Sequence, residues 1–299
     1  MPILCALVGA TGVGKTELAV LLAKHYDAEI ISFDSRQIYT GFCIGTAQPT
    51  IEDRKQVVHH FVDFLPPLEC YSAGRFCKEV KELLENTSQK KYVLVGGTGM
   101  YLQALIEGLP EIPSISENVR ATLYARLDRD GLDTLYKEAC EKDPKAMETI
   151  LASDKQRILR TLEICTQTGQ KFSDIRNNRV GGLGKIKTFW LDRPRQVLYA
   201  NIDERVVRMV AAGWIAEVEA LLNTVPIDAP AWQSLGYREW ADHLCGKKSF
   251  DEVLMSVQQE TRRFAKRQLT WFRHQTEATR FEIEGSVAGL LGQIEALLD

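Results

Sequence analysis

Residues Gly9-Ala10-Thr11-Gly12-Val13-Gly14-Lys15-Thr16 directly follow the apolar run Ile3-Leu4-Cys5-Ala6-Leu7-Val8. The apolar run predicts a buried strand, and Leu18, Ala19 and Leu22 predict a helix on the far side of the turn. The octapeptide fits G-x-x-x-x-G-K-[ST] in the setting that gives the pattern its meaning, between a strand and a helix. Its glycines let successive backbone N–H groups converge on an anion, and the helix N-terminus adds its positive end. Lys15 brings a point charge and Thr16 a hydroxyl for Mg²⁺. A chain built on this stretch is expected to be an α/β protein that binds a phosphate or diphosphate. The stretch does not say whose.

With 299 residues, 45% of them hydrophobic and 26% charged, the chain can bury one large core and a smaller second one. No apolar run approaches the ~18 residues of a membrane span, and Met1-Pro2-Ile3 enters the first strand without a basic, cleavable leader. A cytoplasmic protein is expected. The seven cysteines (Cys5, Cys43, Cys70, Cys77, Cys140, Cys165 and Cys245) form no C-x-x-C pair and fall in apolar segments, so buried, reduced thiols are expected rather than zinc or disulfides. The net charge of −3 hides an uneven distribution. Between Lys155 and Arg195 basic residues far outnumber acids, and Arg262, Arg263, Lys266, Arg267 and Arg273 form a run without an acid. Both are candidate polyanion surfaces.

In chain order, Ala28–Phe33 reads as a strand ending at Asp34. In an open parallel sheet this places the carboxylate at the same crevice as the glycine-rich turn, although Asp34-Ser35 is also good capping chemistry. Arg36 to Pro49 reads as an irregular loop. His59 to Phe64 reads as a strand without metal-ligand spacing around its histidines. Ser72 starts a helix, and Lys91–Val95 is a buried strand running into Gly96-Gly97-Thr98-Gly99. That junction is either a second backbone approach to a ligand or an ordinary turn. The β-α alternation predicts a parallel sheet wound with helices.

After the punctuation Leu109-Pro110-Glu111-Ile112-Pro113 the pattern turns helical. Ser153-Asp154-Lys155-Gln156 reads as a capping box before a helix with Ile158, Leu159 and Leu162 inward. Asn177 to Gly184 reads as a mobile loop. Strand character returns at Lys187–Leu191. Phe250 to His274 then reads as one long basic helix, followed by a strand at Thr279–Ile283 and a closing helix from Val287. The expected fold is a P-loop NTPase-like α/β core in residues 1–113 and 185–299, interrupted by an all-helical domain in residues 114–184.

Several stretches taken together resemble the tRNA dimethylallyltransferase (tRNA isopentenyltransferase) family. They are Gly9 to Thr16, Asp34-Ser35-Arg36-Gln37-Ile38-Tyr39, Ile44-Gly45-Thr46-Ala47, His59-His60, Tyr71-Ser72-Ala73, Val95 to Tyr101, Gln156-Arg157, Gly236-Tyr237 and Ala265 to Arg273. The landmarks run in order along the chain, and their combination is far more specific than the P-loop alone. One departure is Gln48, where the family usually has Lys after Thr-Ala. It puts in doubt a charged contact there, not the reaction class. The zinc finger that eukaryotic relatives often carry is not visible after Arg273, so a bacterial-type enzyme is expected.

The resemblance implies transfer of a dimethylallyl group from its diphosphate to N6 of adenosine 37 in tRNAs reading codons that begin with U. Gly9, Ala10, Thr11, Gly12, Val13, Gly14, Lys15 and Thr16 would hold the diphosphate, with Mg²⁺ as cofactor at the Thr16 hydroxyl. Asp34 would be the general base, and Arg205 a further diphosphate contact. The tRNA contacts implied are Asp34, Ser35, Arg36, Gln37, Thr98, Arg120, Gln156, Arg157, Ile158, Leu159, Arg160, Gln233, Ser234, Leu235, Gly236, Tyr237 and Arg238. The expected partners are the tRNA anticodon stem-loop and dimethylallyl diphosphate, with no membrane, and a monomeric chain. The alternatives are a prenyltransferase acting on free adenine nucleotides and a small-molecule P-loop kinase.

Overall fold

The computed structural model describes residues 2–87 and 89–298. From the N-terminus the elements are β1 (Ile3–Gly9), α1 (Lys15–His25), β2 (Ala28–Ser32), α2 (Ile51–Gln56), β3 (His59–His60), α3 (Ala73–Asn86), β4 (Lys91–Gly96), α4 (Gly99–Glu107) and β5 (Gly108–Pro110). Then follow α5 (Glu117–Asp130), α6 (Leu132–Lys142), α7 (Pro144–Met147), α8 (Lys155–Thr168), α9 (Phe172–Ile175) and β6 (Arg179–Gly181). The last part comprises β7 (Thr188–Asp192), α10 (Arg195–Ala211), α11 (Trp214–Leu222), α12 (Tyr237–Leu244), α13 (Phe250–Gln275), β8 (Thr279–Glu282) and α14 (Leu291–Leu298). No helix among the described residues is long and apolar enough to cross a membrane.

The chain divides into two compact units, Met1–Ala104 with Lys185–Asp299, and Leu105–Gly184. In the first, six parallel strands lie in the order β3-β2-β4-β1-β7-β8. Strands covered on both faces must be apolar throughout, and Cys5, Ala6, Leu7 and Val8 of β1 and Tyr92, Val93 and Leu94 of β4 are fully buried. The chain leaves β1 for one edge of the sheet and returns on the other side at β7. The carboxyl end of β1 is therefore a switch point, where open parallel sheets leave a crevice for ligands. At the β8 edge Arg280 pairs with Asp192 at 2.8 Å and lies over the Trp190 ring.

A second core in the same unit is aromatic: Phe42, Trp214, Trp232, Tyr237 and Trp240 are buried together, with Phe42 and Tyr237 centroids 4.7 Å apart. Gly236, at φ +89°, is needed there, because a Cβ would lie 2.3 Å from the Trp214 ring. Helix α13 is capped by Ser249 and Glu252 in a reciprocal box and carries Arg273 and His274 in its last turn, both favourable to a long helix.

The second unit is mainly helical, with Leu123, Leu135, Ile158, Leu159 and Leu162 in its core. It begins at Leu105, ahead of the Leu109–Pro113 punctuation. It also contains an antiparallel ribbon, β5 with β6, where a mobile loop was expected over Asn177–Gly184. Strands this short carry no alternation to read; the pairing needs Gly182, whose Cβ would lie 2.3 Å from Ile106 O. Helix α8 is capped by Asp154, which accepts from Arg157 N, rather than by the expected box from Ser153. The expected strand His59–Phe64 stops after two residues, because Phe61 and Asp63 adopt left-handed backbone (φ 62° and 56°). Of the cysteines, Cys5 and Cys77 are buried, whereas Cys70 and Cys245 are exposed; all seven are free thiols.

Candidate active site

Between β1 and α1 the chain makes the glycine-rich turn. Gly14 stands at φ +105° as the N-cap of α1 and offers no side chain, so the first N–H groups of the helix stay open to an anion. Gly9 is required for a different reason, since a Cβ there would lie 2.5 Å from Leu191 O on β7. The Lys15 ammonium is drawn back over the turn and donates to Gly9 O and Ala10 O, each at 2.9 Å. An ammonium has three N–H donors, so one remains for a ligand. Burial pulls the Lys15 pKa down to about 8, with the Asp34 charge opposing the shift and Arg205 adding to it.

The turn forms one wall of a cavity of about 960 Å³, entirely within the α/β unit. Asp34, just beyond β2, stands in the same wall. Its Oδ1 accepts from Arg36 N at 2.9 Å and Gln37 N at 3.4 Å, so the capping expectation for this residue holds. Its Oδ2 has no hydrogen bond among the described residues, and a carboxylate oxygen is thus left for a ligand. Capping uses only one of the two oxygens. Arg205 reaches in from α10, donates to Thr11 Oγ1 at 3.2 Å, and has its pKa lowered by burial and raised again by Asp34. Arg208, one turn on, lines the same cavity.

Gly96, Gly97 and Gly99 line the cavity, but they also make room for protein side chains. A Cβ on Gly97 would lie 2.2 Å from Gln268, and one on Gly99 2.1 Å from Trp271. Thr98 Oγ1 accepts from Ser35 N at 3.1 Å, tying this junction to the Asp34 turn. The α13 face formed by Phe264, Arg267, Gln268 and Trp271 completes the wall. The basic run on this helix had pointed to its outer surface. Arg262 is instead paired with Asp203 on α10, and Arg263 with Glu260. The spacing 264, 267/268, 271 is one helical face and was the available signal for an inward role.

The implied tRNA contacts separate into groups. Ser35, Arg36, Gln37, Thr98, Ser234 and Leu235 line the cavity with Asp34. Gln233 and Arg238 are exposed, whereas Gly236 and Tyr237 are buried in the aromatic core and offer no surface. In the helical unit Arg120 and Arg160 both reach Glu163, at 3.9 and 3.0 Å, and Gln156 and Arg157 are exposed. Ile158 and Leu159 are core residues of that unit, at 0% and 3% exposure, which removes them as contacts. The basic run from Lys155 to Arg195 is divided between the two units, and Lys187 and Arg193 donate to backbone carbonyls within the α/β unit. Gln48 donates through Nε2 to Gln37 O (2.9 Å) and Tyr39 O (3.0 Å), so the residue departing from the family pattern braces its own loop.

No group of three or more His, Cys, Asp or Glu placed to hold a metal occurs among the described residues. His60 bonds Glu29 and His59 bonds Val57 O, so both histidines are structural. Thr16 lines the cavity, and its hydroxyl has no hydrogen bond among the described residues. A hydroxyl completed by phosphate oxygens and water is the kind of donor set Mg²⁺ accepts. The residues present therefore fit a Mg²⁺ that arrives with a phosphorylated ligand.

The family model for IPP transferase matches residues 37–275. This excludes the P-loop, which stands as a separate observation. The chain is 39% identical to the tRNA dimethylallyltransferase of Thermodesulfovibrio yellowstonii over 93% of its own length and 91% of the relative's. Among solved structures it resembles a tRNA isopentenylpyrophosphate transferase from Bacillus halodurans (TM-score 0.71, 33% identity, 99% of this chain and 94% of that one). It also resembles a eukaryotic dimethylallyltransferase described as acting on tRNA (TM-score 0.83, 26% identity, 99% of this chain and 77% of that one). With most of its length matched by the family model and by relatives above 30% identity, the chain belongs to the IPP transferase family.

Proposed function

We propose that the protein is a tRNA dimethylallyltransferase that moves a dimethylallyl group from dimethylallyl diphosphate to N6 of adenosine 37, in tRNAs reading codons that begin with U, in the cytoplasm. The observation that carries the reading is the meeting in one cavity of an anion-binding turn, two partly buried cations, Lys15 and Arg205, and a carboxylate with a free oxygen, Asp34. A P-loop kinase would also place a carboxylate near the phosphates, so it is the family membership that favours assigning this one to an amine nucleophile.

In the reaction N6 of adenine attacks C1 of the donor, the C1–O bond breaks, and the electron pair leaves with the diphosphate. Charge grows on the bridging oxygen as that bond lengthens, so the turn amides, Lys15 and Arg205 bind the transition state better than the ground state. The third Lys15 N–H and the Arg205 guanidinium are donors available to this charge. Asp34 takes the proton that N6 loses. An exocyclic aromatic amine is a weak nucleophile, so its orientation by Asp34 Oδ2 matters as much as proton removal. Thr16 would hold a Mg²⁺, which would supply further neutralisation of the diphosphate charge. The acceptor base must leave its stack to reach the cavity, at a cost of a few kcal/mol that an unpaired loop lowers.

The test is to supply labelled donor with tRNA and, separately, with AMP, ADP or ATP. Label entering tRNA alone is expected. Label entering only the free nucleotide would replace the acceptor in this reading, and γ-phosphate transfer from ATP without prenylation would replace the reaction.

A further inference from the structure

The loop Cys43–Ala47 supplies Gly45, Thr46 and Ala47 to the cavity wall and is shaped around one carboxylate that lies outside that wall. Glu217, on α11, accepts from Cys43 N at 3.1 Å and Ile44 N at 2.9 Å through Oε2. Through Oε1 it accepts from Gly45 N at 3.5 Å and from the Tyr237 hydroxyl at 2.6 Å. Gly45 N also donates to the Tyr237 oxygen at 3.1 Å. Three successive backbone N–H groups turned toward one anion form a nest, here filled by the protein's own side chain. No ion pair to Glu217 occurs among the described residues, so the amides and the phenol carry its charge. Burial and the Glu217 charge together hold the Tyr237 phenol well above its ordinary pKa, which keeps it a donor.

The loop is tied in turn to the catalytic carboxylate. Gln37 Nε2 donates to Ala47 O at 2.7 Å, and Gln37 N donates to Asp34 Oδ1. Trp214, on the same helix as Glu217, fills the space that a Cβ on Gly45 would need, 2.2 Å from its indole nitrogen. We infer that Glu217 is a positioning residue for prenyl transfer: by templating Cys43–Gly45 it fixes that part of the cavity wall and, through Ala47 and Gln37, the turn that aims Asp34. It touches neither donor nor the reacting atoms. The inference rests on the proposed reaction.

Glu217→Gln keeps the shape of the side chain but removes its charge and turns one acceptor into a donor facing the amides it served. The expected result is a single-turnover prenylation rate lowered about 10- to 100-fold, the scale of a small misplacement of a reacting group. Donor affinity should stay within about twofold, because the P-loop, Lys15 and Arg205 are untouched, and amide exchange at Cys43–Gly45 should quicken. Glu217→Asp, which keeps the charge but shortens the reach, should fall between the two in rate and again bind donor normally. Tyr237→Phe added to Glu217→Gln should cost little more, since the phenol acts through the same carboxylate. An unchanged rate in either Glu217 variant overturns the inference. So does an equal loss of donor affinity and rate, which would mark general loosening. Absence of tRNA prenylation by the unaltered protein would instead overturn the proposed function.

Discussion

Gln268 Oε1 accepts the Thr11 N–H at 2.8 Å, joining α13 to the P-loop across 257 residues of sequence. The other end of the same amide donates to Gly97 O at 3.0 Å. One side chain thus sets the spacing between the anion-binding turn and the junction after β4. Gln268→Ala leaves both backbone groups without a partner, at about 1–3 kcal/mol each where water does not replace it. A lower melting temperature and roughly tenfold weaker donor binding are expected, and calorimetric titration with dimethylallyl diphosphate measures the second. Gln268→Glu keeps the acceptor for Thr11, loses the donor to Gly97 O and adds negative charge beside the diphosphate, so it should bind donor more weakly still.

The lowered pKa of Lys15 sets a pH dependence with opposite signs for binding and for folding. Below about pH 8 the ammonium is charged and donor binding is at full strength. Above that pH the charge is lost and the donor Kd should rise, approaching tenfold per pH unit, with a higher midpoint in the complex because the diphosphate favours the charged form. In the donor-free protein the folded state binds fewer protons than the unfolded chain between about pH 8 and the ordinary lysine value of 10.5. This group's contribution to stability therefore increases with pH across that window. Lys15→Met should abolish the slope in Kd between pH 7 and 9. A slope that persists would assign the titration to another group.

Asp34→Asn keeps an acceptor for Arg36 N and Gln37 N but cannot take the N6 proton. Single-turnover rates should fall by about 10²–10⁴-fold, with donor and tRNA affinities held within a few fold. A rate within threefold of the unaltered enzyme would remove Asp34 from the base role.

The helical unit offers a separate test on the acceptor. Arg157 is 64% exposed and 3.4 Å from Asp154, whereas Arg160 is held at 3.0 Å by Glu163. Arg157→Ala is expected to weaken tRNA binding and to reduce its salt slope by about one. Arg160→Ala should change the slope less, since its charge is already partly spent on Glu163. Neither should affect donor binding, and filter binding over a salt series gives both numbers.

Much of the α/β core could be read in the chain because its central strands are buried on both faces and announce themselves as apolar runs, as β1 and β4 do. The P-loop was legible because its spacing is the one that lets backbone amides at a strand-helix turn converge on an anion. What escaped was organised by tertiary contact. The left-handed Phe61 and Asp63 ended a segment that reads as a longer strand. The inward face of α13 was masked by arginines whose partners, Asp203 and Glu260, lie outside the run. Glu217 reads as one more carboxylate on an amphipathic helix, and only the fold brings the Cys43–Gly45 amides to it.

The central claim is that the P-loop of this chain grips a diphosphate that leaves, rather than a nucleotide that donates phosphate. Nucleoside analysis of tRNA incubated with the protein, dimethylallyl diphosphate and Mg²⁺ tests it most directly. The expected result is N6-dimethylallyladenosine at position 37, with one intact diphosphate released per modified base. Unmodified adenosine 37, together with orthophosphate or phosphorylated product formed from ATP, would contradict it.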